Sequence, residues 1–249
     1  MSREANGTTS IANAASPGAF DDMQPLTVMG WFSFDGAGEA QSGRLVCKES
    51  NATAALTGPW FLTALTSPAT CLQFRKDETI TNLLVRTASG TVRTDGSFQH
   101  IAVSWDGSSV ATNVHIYVDG TEPAYQAQTN GAGVVSSDAL YNLNIGNRTG
   151  ADRTHDGRIA DIQIFRRVLS LAEIRQAMRF PGMGSNSRYA DSTAGLIRYY
   201  PMHGFSGIEF DATFNGGGIT ITNLPFHASH PPVNGRGTGG PIPMPYGAS

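Results

Sequence analysis

The sequence predicts an all-β protein: a two-sheet antiparallel β-sandwich with one short helix near residues 170–178 and extended N- and C-terminal arms. Many short apolar segments follow one another at short intervals, as the strands of such a fold do. Asp-Gly pairs lie between several of them and favour tight turns, because both residues tolerate a positive φ. Only one segment has helical spacing, and it comes late, which does not fit alternating βαβ units.

The strand candidates are short and are separated by turn residues. The first clear one, residues 26–34, is apolar on both faces and therefore predicts a central strand. The further candidates are residues 44–48, 60–65, 71–75, 83–87, 99–105, 113–118, 143–145, 159–165 and 196–200, with a short β-like stretch at 219–222. The turn pairs are Asp35-Gly36, Asp95-Gly96, Asp106-Gly107, Asp119-Gly120 and Asp156-Gly157.

A strand runs directly into the predicted helix. Apolar and polar residues alternate over residues 159–165, and the apolar residues of 171–178 then recur at helical spacing. Ser170 stands just before the helix, and Glu173 follows three residues later. This spacing predicts a capping box, in which each side chain bonds to the other residue's backbone N–H group.

The composition predicts three parts of the chain. Residues 1–22 are rich in small and polar residues and are expected to form an N-terminal arm. Residues 23–202 are expected to form the β-sandwich, since a chain of 249 residues can bury one sizeable core. Residues 203–249 are a Gly/Pro-rich C-terminal extension, expected to pack on the domain or on a neighbour.

Charge and composition exclude several classes of partner. The formal net charge of -3 offers no basic surface for nucleic acid. No apolar stretch is long enough to cross a bilayer, so no membrane insertion is expected, and the start lacks the apolar core of a secretion signal. Synthesis in the cytoplasm without a signal peptide is therefore expected. Cys47 and Cys71 are expected to be free buried thiols, although their spacing alone leaves one bridge open.

The order of several segments resembles the laminin-G-like, concanavalin A-like (pentraxin-type) jelly-roll family over about residues 20 to 202. The matching segments are Leu26-Thr-Val-Met-Gly-Trp-Phe, Arg44-Leu-Val-Cys-Lys, Gln99-His-Ile-Ala-Val-Ser-Trp-Asp-Gly, Val114-His-Ile-Tyr-Val-Asp-Gly, Leu143-Asn-Ile-Gly, residues 157–178 and Leu196-Ile-Arg-Tyr-Tyr-Pro-Met. The resemblance implies two packed antiparallel sheets, one of them concave, with loops at the rim. It does not imply one function, because this scaffold hosts lectins, adhesion modules, glycoside hydrolases and structural domains of phage proteins.

Catalytic residues are not expected. Hydrolysis of a glycosidic bond needs two carboxylates about 5 to 10 Å apart. The hydrolase branches of the resembled family use a Glu-x-Asp-x-Glu strand, which is missing from the sequence. The nearest pattern, Glu209-Phe-Asp211, lies in the Gly-rich C-terminal region and is interpreted as solvated surface. The protein is therefore expected not to be an enzyme.

The candidate ligand-binding residues are Trp60, Asp106 and Asp119. Family members often bind calcium with rim Asp and Asn oxygens, and Asp106, Asp119 and Asp156 are rim candidates, but each is also explained as a turn residue. No metal site or cofactor is assigned, and calcium stays an open alternative. Trp60 follows a proline and is the tryptophan that could stack on a sugar if exposed, whereas Trp31 and Trp105 lie in core-like strands.

Three functional hypotheses remain open. The leading one is a non-enzymatic surface or structural binding protein, most concretely a decoration or adhesion component of a virion or another surface assembly. It predicts protein partners, a homo-oligomer and display on a particle surface, and it depends on the low-complexity arms and the missing export signal. The alternative is a carbohydrate-binding, lectin-like module, with or without the assistance of calcium. The third, a glycosidase, requires two facing acids in the concave sheet.

Overall fold

The described part of the chain folds into two antiparallel β-sheets and one α-helix, as the sequence predicted. The computed structural model describes residues 1–14, 18–36, 38–49, 60–65, 70–135, 137–180, 194–204, 207–214 and 216–232. The first eight strands are β1 (Ser2–Asn6), β2 (Ile11–Ala14), β3 (Leu26–Ser33), β4 (Arg44–Lys48), β5 (Trp60–Leu65), β6 (Cys71–Lys76), β7 (Leu83–Thr87) and β8 (Phe98–Trp105). The others are β9 (Val114–Val118), β10 (Tyr125–Thr129), β11 (Leu143–Ile145), β12 (Asp156–Phe165), β13 (Leu196–Tyr200), β14 (Ile208–Glu209), β15 (Ile219–Thr222) and β16 (Phe226–His227), with helix α1 at Leu171–Arg179.

The strands divide into a seven-stranded and a nine-stranded sheet. The seven-stranded sheet has the order β16-β1-β12-β3-β8-β9, and β13 pairs with β12 beside β1. The nine-stranded sheet has the order β10-β7-β6-β5-β4-β11-β2-β15-β14. Strands next to each other in the chain often lie in different sheets, so the register within each sheet depends on pairings between distant segments.

Strand β3 is buried along its whole length, which confirms the predicted central strand. Val28 and Phe32 belong to the main core cluster between the sheets, whereas Met29 packs in a second cluster on the other face. A strand whose two faces are both covered reads as a continuous apolar run. This is why the sequence 26–34 lacks a polar face.

Helix α1 begins with the predicted capping box. The Ser170 side chain accepts a hydrogen bond from the Glu173 backbone N–H, and the Glu173 carboxylate accepts one from the Ser170 N–H at 2.8 Å. Ile174 and Ala177 are buried against a cluster that includes Met29 on the outer face of the seven-stranded sheet. The helix therefore covers the outer face of the seven-stranded sheet. It does not cover the outer face of the nine-stranded sheet.

The N-terminal segment differs from the arm expected over residues 1–22. Strand β1 pairs with β12 and β16, and β2 pairs with β11 and β15, so both strands lie inside a sheet. Ala5 and Ala12 are buried in the core. The prediction from composition was wrong because the hydrogen bonds between strands come from the backbone. Small and polar residues provide these backbone groups just as apolar residues do.

The described part of the C-terminal extension also adds strands. Strands β14 and β15 extend the nine-stranded sheet beyond β2, and β16 pairs with β1 at the edge of the seven-stranded sheet. The predicted β-like stretch at 219–222 coincides with β15. Residues 233–249 of the extension lie outside the described residues.

Two smaller predictions have different outcomes. Cys47 and Cys71 are free and buried, as expected. Four of the five predicted Asp-Gly pairs precede or follow strands, and Gly96, Gly107 and Gly120 have the positive φ that such turns require. The pair Asp156-Gly157 is instead the start of β12, where it pairs with β1, so it is not a turn.

Candidate functional site

Trp60 is buried and does not meet the expectation of an exposed stacking residue. Only 1% of its surface is exposed, and its ring is tilted against that of Phe74 at 6.4 Å between centroids. The register places Trp60 between Lys48 and Lys76 on the inner face of the nine-stranded sheet. Strand alternation directs this ring into the core, and the sequence of the strand alone does not tell which of its two faces is inside.

Asp106 and Asp119 hold turns at opposite ends of β8. Asp106 accepts hydrogen bonds from the Ser108 backbone N–H and hydroxyl and from the Asn113 amide. Asp119 accepts one from the backbone N–H of His100 at 2.8 Å. Because Asp106 follows the last residue of β8 and Asp119 bonds near its start, the two lie about 20 Å apart along the strand. Trp60, Asp106 and Asp119 therefore do not form one site.

The described residues contain no group of three or more His, Cys, Asp or Glu side chains that could hold a metal ion. The Asp106 oxygens accept hydrogen bonds within their own turn, and the Asp119 oxygens accept from the His100 backbone N–H and from Arg93 Nη1. Nothing in these turns distinguishes a calcium site from ordinary turn chemistry.

One row of residues crosses the outer face of the nine-stranded sheet. Along strands β5 and β6, residues of this row alternate with residues of the main core cluster. The row therefore lies on the face of the sheet that points away from the core. Paired in order, its members are Thr220, Asn13, Asn144, Cys47, Phe61, Arg75, Leu84 and Thr129. Eight strands at the usual sheet spacing make this row about 34 Å long.

A second, shorter row runs beside the first. Its members are Arg44, Thr63, Gln73, Arg86 and Ala127. Together the two rows bring guanidinium, amide and hydroxyl groups onto one face. These are the directional donors and acceptors that recognise a ligand rich in hydroxyl groups.

The middle of this face is buried and internally satisfied. The Arg44 guanidinium lies over the Phe61 ring, 3.8 Å from its centroid, and its Nε is 2.5 Å from Glu49 Oε1. A second hydrogen bond joins Arg44 Nη2 to Glu49 Oε2 at 3.2 Å. Such a bidentate pair, stacked on a ring, fixes the guanidinium in place. Arg44 and Phe61 therefore have a structural role in the middle of this face.

Two acids, Glu49 and Asp77, follow the ends of β4 and β6 on the same face. Their strands are separated by β5, so their backbones lie about 10 Å apart. Burial raises the pKa of Asp77, against the effect of Arg75, and the charge of Glu49 raises it further. Arg75 Nε lies 2.7 Å from Asp77 Oδ1, close enough for an ion pair, although neither atom makes an aligned hydrogen bond within the part of the chain that the structure describes. Each acid therefore faces a guanidinium group.

The exposed end of the two rows lies on β6, β7 and β10. We call the residues Gln73, Arg75, Leu84, Arg86 and Thr129 the guanidinium patch. Leu84 lies between Arg75 and Thr129 in the first row, and Arg86 is paired with Gln73 in the second. The Arg75 side chain is 22% exposed, Leu84 and Arg86 are partly exposed, and Thr129 is exposed. The patch thus offers an apolar contact flanked by cationic and hydroxyl donors.

Sequence reasoning did not find the guanidinium patch. Alternation within residues 83–87 puts Leu84 and Arg86 on one face, and alternation within 71–75 does the same for Gln73 and Arg75. The pairing that brings these two faces side by side depends on the register of β6 and β7. Because the connection between the two strands is longer than a two-residue hairpin loop, the sequence does not fix that register.

No helix in the described ranges is long and apolar enough to cross a membrane.

The chain is similar in fold to proteins of known structure. No curated protein sequence matches the chain significantly. A Bacteroides ovatus protein, provisionally described as carbohydrate-binding, superposes with a TM-score of 0.59 at 14% identity over 90% of this chain and 58% of its own. This chain therefore spans less than two thirds of that protein.

A second solved structure is a carbohydrate-binding module of Ruminococcus gnavus. This CBM40 of the IT-sialidase, bound to alpha2,3 sialyllactose, superposes with a TM-score of 0.51 at 14% identity over 71% of this chain and 97% of its own. At these identities the likeness shows the fold alone. A sequence profile of the concanavalin A-like lectin/glucanases superfamily matches residues 6–175, more than half of the chain. The chain therefore belongs to the concanavalin A-like lectin/glucanases superfamily.

Proposed function

We propose that this protein is a non-enzymatic glycan-binding module that binds its ligand at the guanidinium patch. The observation that carries the proposal is the grouping of the partly exposed Leu84, Arg75 and Arg86 side chains on a sheet face that helix α1 does not cover. Sugars present apolar C–H surfaces and rings of hydroxyl groups. An apolar contact beside a few placed donors matches both features.

The relatives of known structure support this ranking over a decoration role on a virion. The Bacteroides ovatus protein is provisionally described as carbohydrate-binding, and the Ruminococcus gnavus module was solved with a sialylated sugar. Neither description names a virion or a particle surface. Display on a particle, protein partners and a homo-oligomer remain predictions of the sequence without a supporting contact in the structure.

The state of the two acids on this face supports binding without hydrolysis. A glycosidase needs one carboxylic acid and one carboxylate facing the scissile bond. Glu49 is held by Arg44 through two hydrogen bonds, and Asp77 lies against Arg75. Glu49 and Asp77 are both buried, so neither presents a free oxygen to a sugar. We therefore assign them a structural role.

A glycan screen of the whole chain, followed by calorimetry, tests the proposal. We expect binding to one glycan class, and a loss of about fivefold or more in affinity on Leu84→Ala, since a sugar's apolar face loses its contact. Val168→Ala is the matched control, because Val168 is exposed and precedes helix α1 on the other sheet. Parallel titrations with calcium and with a chelator test the calcium alternative.

Two results would contradict the proposal. One is the absence of binding to every neutral and acidic glycan tested. The other is binding that Leu84→Ala and Val168→Ala leave equally unchanged, which would place the site elsewhere. Release of reducing ends from a bound polysaccharide would contradict the non-enzymatic part, and Glu49→Gln and Asp77→Asn would then identify the acid responsible.

A further inference from the structure

Arg86 is held on one edge of its guanidinium group and open on another. Its Nε and Nη2 atoms both donate to Gln73 Oε1, at 3.0 and 2.6 Å. A guanidinium group presents two edges that can each grip two oxygens, one formed by Nε and Nη2 and the other by Nη1 and Nη2. Gln73 occupies the first edge, and among the described residues no hydrogen-bond acceptor contacts the second, end-on edge at Nη1.

The charge around Arg86 is unbalanced. Arg44 is paired with Glu49 and Arg75 with Asp77, whereas the side-chain partner of Arg86 is a neutral amide. Within the described ranges, no carboxylate lies within ion-pair distance of Arg86. The register makes Arg75 and Arg86 diagonal neighbours, because Arg75 is paired with Leu84, two residues before Arg86. Two cations at this spacing repel each other and attract an anion placed between them.

The neighbours of Arg86 leave room for such an anion. Ala127 is the residue opposite Arg86 on edge strand β10, and its side chain is a single methyl group. Leu84 lies two residues before Arg86 on the same face of β7 and supplies an apolar surface beside the guanidinium group. A ligand with a ring and a carboxylate could therefore lie on Leu84 and direct its two oxygens at Arg86.

We propose that the ligand of the guanidinium patch is an acidic glycan, whose uronate or sialate carboxylate docks on the end-on edge of Arg86. This inference rests on the proposed glycan-binding function and adds the substrate class. Gln73 is a positioning residue in this scheme, since its Oε1 fixes the plane of the guanidinium before the ligand arrives. A planar carboxylate fits the fork with two parallel hydrogen bonds, which adds specificity as well as affinity.

Matched pairs of sugars test the inference by calorimetry on the full chain. One pair is sialyllactose against lactose, and the other is a uronate oligosaccharide against the same oligosaccharide with its carboxylates reduced to hydroxymethyl groups. We expect the acidic member of at least one pair to bind about tenfold tighter, and the pair that responds identifies the sugar acid. The preference should shrink as the salt concentration rises.

Variants connect the preference to Arg86. Arg86→Gln should abolish the difference between acidic and neutral sugars, and Arg86→Lys should retain part of it because the charge stays but the fork is lost. Gln73→Ala should weaken acidic binding less than Arg86→Gln does. The control is Arg179→Gln, which removes an exposed charge at the end of helix α1 and should change nothing. Thermal melts of each variant show that the fold is retained.

The outcomes separate the two proposals. Equal binding of acidic and neutral sugars would overturn this inference and leave the glycan-binding function standing. A carboxylate preference that survives both Arg86→Gln and Arg86→Lys would also overturn it. Equal binding of a sulfated sugar without carboxylates would overturn the choice of carboxylate. Failure of every sugar to bind would remove the proposed function itself.

Discussion

Arg3 and Glu209 form a buried ion pair between the first strand and the C-terminal extension. Arg3 Nε lies 3.1 Å from Glu209 Oε2, and the side chains are 3% and 0% exposed. Arg3 Nη1 also donates to the Leu224 carbonyl at 2.8 Å, and Glu209 accepts from the backbone N–H groups of His203 and Gly204. This network fastens the C-terminal extension to the first strand.

We expect Glu209→Ala to lower the free energy of unfolding by about 3–5 kcal/mol. Removing one partner leaves the other charge buried and unpaired, which is the costly way to break such a pair. Urea titration of the whole chain measures the loss. Arg153→Ala, in an exposed pair with Asp152, is the control and should cost less than about 1 kcal/mol. A loss for Glu209→Ala as small as that of the control would show that the extension is not fastened to the domain.

Asp138 links two buried lysines, and its removal should be similarly costly. Lys48 Nζ lies 2.9 Å from Asp138 Oδ1, and Lys76 Nζ lies 3.8 Å from Asp138 Oδ2. Burial lowers the pKa of Lys76, and the charge of Asp138 opposes that effect. We expect Asp138→Ala to cost about 3 kcal/mol or more in urea titration, because both ammonium groups lose a counter-charge. A stability within about 1 kcal/mol of the parent would contradict the role of this cluster.

The stability of the fold should decrease in mild acid because of two buried histidines. Burial lowers the pKa of His100 to about 3 and that of His155 to about 4, from an ordinary value of 6.5. At a pH between 6.5 and these lowered pKa values, the two histidines are protonated in the unfolded chain but not in the folded chain. The free energy of unfolding is therefore highest above pH 6.5 and decreases as the pH falls below it. For His155 alone the loss amounts to about 3 kcal/mol.

A variant of His100 tests this acid dependence. Among the described residues, neither ring nitrogen of His100 has a hydrogen-bond partner, and the ring packs edge-on against Trp31 at 5.3 Å. We expect His100→Phe to flatten the decline in unfolding free energy between pH 6.5 and 4, since it removes one titrating group without removing a hydrogen bond of the ring. His115→Asn, at a partly exposed histidine, is the control. An unchanged slope for His100→Phe would contradict the assignment.

Loss of the helix cap should reduce stability without affecting ligand binding. Ser170→Ala removes the acceptor for the Glu173 backbone N–H and should cost about 1 kcal/mol, whereas Ser170→Asp should retain most of the stability. The helix covers the seven-stranded sheet, and the guanidinium patch lies on the other sheet. Glycan affinity measured by calorimetry should therefore stay within about twofold of the parent. A larger loss of affinity in Ser170→Ala would argue for a site near the helix.

Local patterns predicted the strands well because each depends only on neighbours in the chain. The structure gives Arg44–Lys48 and Leu83–Thr87 the predicted bounds, and the capping box of Ser170 and Glu173 is present. The alternation of residues 60–65 likewise predicted a strand. It could not tell which face of that strand is inside, so Trp60 was considered as a ligand-binding residue, whereas the sheet directs it into the core.

The sequence alone determined the class of the fold, the late helix and the approximate positions of most strands, because periodicity and turn chemistry act over a few residues. Only the tertiary structure decided that residues 2–6 and 11–14 are strands inside the two sheets and that Arg75 and Arg86 are diagonal neighbours on one face. Both facts depend on the register between segments distant in the chain. Register follows from the packing of all strands together, which no local pattern encodes.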